Sequence, residues 1–145
     1  MSLFGGLEIS ASALTAERLR MDVVAENLAN AQTTRGADGN PYRRKEVVLQ
    51  ERGGSFGASL SAAMNNGTKA GGVEVAGVVE DQTPLKQVYD PGHPDADANG
   101  YVQMPNVDTV TEMVDLIGAQ RAYEANVTAM QAAKQMFSRT RELLR

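Results

Sequence analysis

The sequence predicts an α+β protein, in which long N- and C-terminal helices pair as a coiled-coil-like α domain and a small antiparallel β domain is inserted between them. Three observations lead there. Each end of the chain has an apolar stripe with a seven-residue repeat. All five prolines and most of the glycines fall between the stripes, in residues 33–105. That middle region also holds short Val-rich segments of the kind that form strands. The predicted organisation is an N-terminal helix within residues 1–32, a β-rich region over 33–105 and a C-terminal helix within 106–145.

The N-terminal helix is expected from about Leu3 to Gln32. Leu7, Leu14, Met21 and Leu28 form its stripe, with Val24, Ala25 and Ala31 filling the turns between them. Asn30 and the run to Gly36 signal its end, because β-branched residues and Gly disfavour continuation. In the middle, strand character appears at Arg43 to Gln50, Val73 to Glu80, Leu85 to Tyr89 and Tyr101 to Met104. Gly53 to Gly72 is rich in Gly, Ser, Ala and Asn and is expected to be a flexible loop.

From Val107 to Arg145 there is no Pro, and Gly118 is the one Gly. Leu116, Tyr123, Met130, Phe137 and Leu144 repeat every seven residues. Thr109 with Glu112 fits a capping box, which starts a helix by satisfying backbone N–H groups reciprocally. Away from the stripe, Gly118, Ala122, Ala125, Ala129 and Ala132 follow at spacings of four, three, four and three. A face meeting only water would usually be charged, whereas small residues let a second backbone approach. Gly118 costs about 1 kcal/mol relative to Ala inside a helix, which packing on two sides would offset. A solitary amphipathic helix is marginal in water, so this one needs partners. The N-terminal stripe is the obvious one, and pairing within the chain, between chains, or both is open at this level.

Composition narrows the function classes. Trp is absent, Phe is 3, Tyr is 4, and much of the 42% hydrophobic content is Ala. Such a chain packs helices closely more readily than it walls a deep ligand cavity, and no small-molecule substrate is expected. The net charge is −4, and the densest basic run, Arg43-Arg44-Lys45, is followed at once by Glu46. No basic face suited to nucleic acid results. Cysteine is absent, which removes disulfides, thiolate metal sites and thiol nucleophiles. The N-terminus has neither a basic region nor a continuous apolar run, so a cleaved signal peptide is not expected.

Two chemical motifs need weighing. Asp95, Asp97, Asn99 and Gly100 match the first half of a calcium loop, but Asn106 stands where a bidentate Glu is needed. A turn held by Asp and Asn side chains is the better reading, with a weak cation site as the alternative. His93, the one histidine, lies between Gly92 and Pro94 and reads as a turn residue. No catalytic residue, metal site or cofactor is expected. The functional classes left are a polymerising structural subunit and a helical adaptor that binds one partner at fixed stoichiometry.

Here the residues resemble a known family. Asn27-Leu-Ala-Asn30-Ala-Gln-Thr33-Thr resembles the Asn-Leu-Ala-Asn-x-x-Thr signature near the N-terminus of flagellar rod and hook proteins. Asn106-Val-Asp-Thr-Val-Thr-Glu112-Met-Val resembles the start of their C-terminal helix, and Ala119-Gln-Arg-Ala-Tyr123-Glu-Ala-Asn126 its most characteristic stretch. Val88 to Val102, with Asp90-Pro-Gly-His93-Pro-Asp95 inside it, is similar to the segment marking the proximal-rod (FlgC) type. The likeness covers the chain except Gly53 to Gly72, and the basic end from Arg139 to Arg145 is a local departure.

The resemblance implies a non-enzymatic structural subunit of the proximal rod of the bacterial flagellar basal body. Such subunits form a helical array that serves as drive shaft and export-channel wall. They are exported by the flagellar type III apparatus without a cleaved signal. Implied partners are its own copies, other rod proteins, and basal-ring and export-gate proteins at the rod base. The expected interface residues are the apolar Leu7, Leu14, Met21, Leu28, Leu116, Tyr123, Met130, Phe137 and Leu144, with Gly118, Ala122, Ala125 and Ala129 for close packing. Asn27, Asn30, Gln120, Arg121, Glu124 and Asn126 are expected to fix register by hydrogen bonds between helices.

Overall fold

The computed structural model describes residues 3–36, 38–52 and 71–143. Helix α1 spans Leu3–Ala29 and helix α2 spans Thr109–Leu143. Between them lie strands β1 (Lys45–Glu51), β2 (Val73–Glu80), β3 (Lys86–Tyr89) and β4 (Tyr101–Met104). They form two two-stranded sheets, β1 with β2 and β3 with β4. The α+β architecture anticipated from the periodicity is therefore observed. The expected flexible loop falls almost wholly outside the described residues, as does Leu144.

Both sheets are antiparallel. In the β3–β4 ribbon Lys86 faces Met104 and Tyr89 faces Tyr101, whose rings meet edge to face at 5.3 Å. At the ends of the β1–β2 pair, the Arg52 N–H donates to the Gly72 carbonyl at 2.9 Å and the Asp81 N–H to the Arg44 carbonyl at 2.8 Å. The turn joining β3 to β4 is closed by the Asp97 carboxylate. Its Oδ1 accepts the N–H groups of Asn99 at 2.8 Å and Tyr101 at 2.9 Å. Gly100 has φ 80°, and an added Cβ there would meet Tyr89 at 3.0 Å and Pro91 at 3.2 Å, so glycine is required twice over. The Asp95–Gly100 motif is thus the side-chain-closed turn preferred above.

Helix ends differ from expectation in two instructive ways. α1 stops at Ala29, three residues before the expected Gln32, and the Asn30 side chain caps its last turn. Asn30 Nδ2 donates to the Glu26 carbonyl at 3.0 Å, and its Oδ1 accepts the Thr33 hydroxyl at 3.1 Å. At the start of α2 the Thr109–Glu112 capping box is not formed. Asp108 is the N-cap instead, accepting the Val110 N–H at 3.3 Å and the Thr111 hydroxyl at 2.8 Å. Glu112 is drawn away to a buried site described below.

The chain divides into two compact units. One, here the terminal unit, comprises Met1–Leu19, Val48–Gly77 and Ala119–Arg145. The other, the junction unit, comprises Arg20–Val47 and Val78–Gly118. Among the described residues of the terminal unit the buried apolar ones are Ala16 and Ala119, at 2% and 0% exposure. There Ser12 Oγ accepts the Val73 N–H at 3.1 Å, and a Cβ on Gly72 would lie 3.0 Å from that oxygen. In the junction unit Val23, Val24, Val102, Pro105 and Val107 are buried, together with Asn27 and Glu112.

Candidate functional site

A polar lock in the junction unit is built on the last turn of α1, the start of β1 with the residues just before it, and the first turn of α2. Asn27 is 1% exposed. An amide has two acceptor lone pairs and two donors, and here all four are used. Oδ1 accepts the Lys45 N–H at 2.9 Å and the Tyr42 hydroxyl at 2.8 Å. Nδ2 donates to the Lys45 carbonyl at 2.9 Å and to Glu112 Oε2 at 3.0 Å. The side chain thus pairs with Lys45 as a neighbouring strand would, extending the hydrogen bonding of β1 onto a helix.

Glu112, fully buried, passes the connection on. Its Oε1 accepts from Arg44 Nε at 2.5 Å. The Arg44 guanidinium also contacts Glu46, and lies 3.8 Å from Asp81 and 3.6 Å from Asp115. Burial lowers the Arg44 pKa, but the hydrogen bond and charge of Glu112, with Glu46, outweigh it and the net shift is upward. The planar fork of Arg suits this site, where a Lys would supply a single point charge. The backbone is tied in as well. The Arg44 N–H donates to Asn106 Oδ1 at 2.8 Å, and Asn106 Nδ2 donates to the Asp81 carbonyl at 3.2 Å and to the Thr83 hydroxyl at 2.9 Å. Arg20 and Asp115 form an outer pair at 3.6 Å.

Chemically this arrangement holds elements together. The Tyr42 phenol is pushed up to about 12, by burial first and then by Glu26, Glu112 and Glu80, so it stays protonated as a donor to Asn27. His93 Nδ1 accepts the Asp95 N–H at 3.1 Å, a turn contact. Asp95 itself pairs with Arg35 at 2.5 Å and accepts the Thr34 hydroxyl at 2.8 Å. Among the described residues, no group of three or more His, Asp or Glu side chains is placed to hold a metal.

The expected interface residues are placed as follows. Leu7, Leu14, Met21 and Leu28 on α1 are half-buried, as are Leu116, Tyr123 and Met130 on α2, while Phe137 is 41% exposed. Gly118, Ala125, Ala129 and Ala132 are exposed, Ala122 is half-buried, and the space a Cβ would fill at Gly118 is open. Of the polar residues, Asn27 and Asn30 enter the geometry above. Gln120 bonds Glu124 at 3.2 Å and Asn126 bonds the Ala122 carbonyl at 2.9 Å, so in the single chain these contacts run along α2.

Sequence reasoning did not single out Arg44 or Tyr42 as site residues, gave Asn106 no bonding role, and gave Glu112 the wrong one. The available signal was Asn27 itself, whose helical position next to an apolar stripe required four partners. A second exposed stripe was also missed. Val110, Met113, Val114 and Ile117 are 68%, 51%, 64% and 51% exposed at helical spacing on α2.

Two family profiles match the chain. The Flagella basal body rod protein profile covers residues 7–37, and the Flagellar basal body rod FlgEFG protein C-terminal profile covers residues 98–143. The flagellar basal-body rod protein FlgC of Bacillus subtilis is 53% identical over 148 residues, 99% of each chain. The chain belongs to the FlgC family of flagellar basal-body rod proteins. The FlgC proteins of Salmonella typhimurium and Borreliella burgdorferi are 48% and 44% identical, covering 97% and 94% of this chain and 96% and 94% of their own. As an FlgC-family chain it is a structural subunit of the basal-body rod. Its lock joins the two profile-matched segments directly, Asn27 in the first donating to Glu112 in the second, and adds Arg44, which lies in neither, as a second donor to Glu112.

Proposed function

We propose that this subunit assembles helically with its own copies and with other rod proteins into the proximal rod, a drive shaft that passes torque from the inner-membrane ring to the distal rod and hook. On this reading α1 and α2 form the wall of the export channel. The β-rich region, 33–105, is a separate domain outside it. The rod base contacts basal-ring and export-gate proteins, the subunit works in the periplasm, and it reaches its place through the flagellar type III apparatus without a cleaved signal peptide. It performs no catalysis.

The observation that supports this best is the exposed side of α2. Val110, Met113, Val114 and Ile117 give an apolar stripe, and Gly118, Ala125, Ala129 and Ala132 a small-residue one, both open in the single chain. Exposed apolar faces of this extent fit a surface that other chains cover. Among the described residues no helix is long and apolar enough to cross a membrane. The half-buried Leu7–Leu28 and Leu116–Met130 stripes are assigned to helix pairing. Gln120, Arg121, Glu124 and Asn126 are assigned to fixing register between subunits.

The test is rod incorporation in cells lacking their own copy of the protein. Tyr123→Ala and Ile117→Asp should each reduce the amount recovered in purified basal bodies while the soluble chain stays folded. Normal incorporation of both variants would overturn the assignment of α2 to subunit packing.

A further inference from the structure

The turn between β3 and β4 takes no part in the lock, yet it holds a pair of neighbours with chemistry of its own. Asn99 is followed directly by Gly100, and Asn66–Gly67, outside the described residues, is the other step of this kind in the chain. An asparagine before glycine is prone to attack by the next main-chain nitrogen on its own side-chain carbonyl carbon, because glycine has no Cβ to obstruct the approach. Asn99 is exposed, and its side-chain amide makes no hydrogen bond with any described residue. The electrophile is therefore free, and what the fold controls is the nucleophile.

Four hydrogen bonds fix the backbone around that nucleophile. The Gly100 N–H donates to the Asp97 carbonyl at 2.9 Å, and the Asp97 N–H donates to the Tyr101 carbonyl at 2.9 Å. Asp97 Oδ1 accepts the Asn99 N–H at 2.8 Å and the Tyr101 N–H at 2.9 Å. Attack requires the Gly100 nitrogen to give up its proton and turn towards Cγ of Asn99. In the folded chain that proton is held by the Asp97 carbonyl, and Gly100 is fixed at φ 80°. We propose that Asn99–Gly100 is a deamidation site that is open in the unfolded chain and shut by the folded turn.

In the reaction the Gly100 nitrogen bonds to Cγ of Asn99 as the Cγ–Nδ2 bond breaks. Nδ2 leaves as ammonia, taking the proton that Gly100 gave up. Water then opens the cyclic imide. Addition at Cγ gives aspartate, whereas addition at the main-chain carbonyl gives isoaspartate, in which the backbone runs through the former side chain and gains a methylene. The second product is the consequential one. A single Asp97 oxygen bridges the N–H groups of residues 99 and 101, and the inserted methylene moves those two groups apart. Tyr101 then loses its place opposite Tyr89, and the neighbouring Val102, 2% exposed, loses its anchor in the junction unit. A chain converted to isoaspartate while unfolded cannot rebuild the ribbon, whereas a chain that has folded keeps Asn99.

The test uses the whole chain, held at one pH and temperature, either folded in buffer or unfolded in guanidinium chloride. Peptide mass spectrometry reads position 99 separately from Asn66, and enzymatic methylation of isoaspartate distinguishes the two products. Because the folded chain must open the turn before it reacts, conversion at Asn99 should be at least about tenfold slower folded than unfolded. Equal rates in the two states overturn the proposal, and this comparison needs no variant. Asp97→Ala removes the carboxylate that closes the turn and should raise the folded-state rate towards the unfolded one. A folded Asp97→Ala chain reacting as slowly as the parent would also overturn it, because the protection would then lie elsewhere. Finally, chains aged in guanidinium chloride and returned to buffer should show isoaspartate at position 99 depleted from the folded fraction. Equal amounts in the folded and unfolded fractions would overturn the consequence drawn for the ribbon.

Discussion

The junction and terminal units share the same two helices but use them differently. In the junction unit, α1 and α2 present Val23, Val24, Asn27 and Glu112 to an interior that also takes Val102, Pro105 and Val107. Every polar atom of Asn27 and both oxygens of Glu112 are bonded there. Among the described residues of the terminal unit those buried are alanines, Met136 and Phe137 are 55% and 41% exposed, and one Glu17 oxygen has no hydrogen-bond partner. The junction unit completes its own bonding within one chain. Both units leave apolar area open, at Val110, Met113, Val114 and Ile117 in the junction unit and at Met136 and Phe137 in the terminal unit, so the contrast between them lies in their internal polar bonding.

Experiments that break the lock should produce the largest effects and should fall on the junction unit. Glu112→Ala leaves Arg44 facing a cavity and strips Nδ2 of Asn27 of an acceptor. Breaking a buried pair typically costs about 3–5 kcal/mol, and the partial exposure of Arg44 puts this one at about 3 kcal/mol, read from urea unfolding. A loss under about 1 kcal/mol would mean that the lock is ornamental to stability. Asn27→Ala should cost about 2–3 kcal/mol, because it leaves both the N–H and the carbonyl of Lys45 without their partner. Hydrogen exchange would show the Lys45 amide losing protection while the Ala122–Ala133 stretch of α2 changes little.

A smaller effect is expected in the terminal unit. Gly72→Ala places a methyl group 3.0 Å from Ser12 Oγ and should cost about 1 kcal/mol by overpacking. The Ser12–Val73 hydrogen bond should loosen with it, visible as faster exchange at Val73. Unchanged stability and exchange would show that the strand pair is not held against α1 at this point.

Among the described residues, the groups with shifted pKa values all lie in the junction unit. Hydrogen bonds from the Thr111 hydroxyl and then the Val110 N–H hold Asp108 below its ordinary value, and Asp81 is held down first by the Thr83 N–H. Both favour the charged form in the folded state. Their contribution is therefore present above the ordinary aspartate range and lost as pH falls through the lowered native values. Tyr42 has the opposite sense. Its pKa is raised from 10.0 to about 12, so its contribution is present below 10 and lost as pH rises towards 12. Tyr42→Phe should flatten the alkaline limb of a stability profile, and Asp108→Asn the acid limb. Profiles parallel to the parent's would show that these groups do not couple to folding.

The elements themselves were legible. The heptad stripes located both helices, and Val73–Glu80 and Tyr101–Met104 are strands at the residues expected, because periodicity and turn residues act locally. Errors arose where one side chain had two possible partners. Asn30 could prolong α1 or cap it, and the cap won. Glu112 could bond the backbone beside Thr109 or reach Arg44, 68 residues away, and a buried charge-assisted bond outweighs an exposed cap.

Sequence alone, then, determined the α+β order, the two helices, the turn at Asp97 and the likeness to flagellar rod proteins carried by the motifs around Asn27 and Ala119–Asn126. Only the tertiary structure decided what those motif residues do. It made Asn27 a substitute strand partner, Asp108 the cap, and Arg44 the link between β1 and α2. The physical reason is range. Helix and strand preferences are set by neighbours a few residues apart, whereas a buried polar group is satisfied by whatever the fold brings within 3 Å, and the spacing of residues along the chain does not encode that distance.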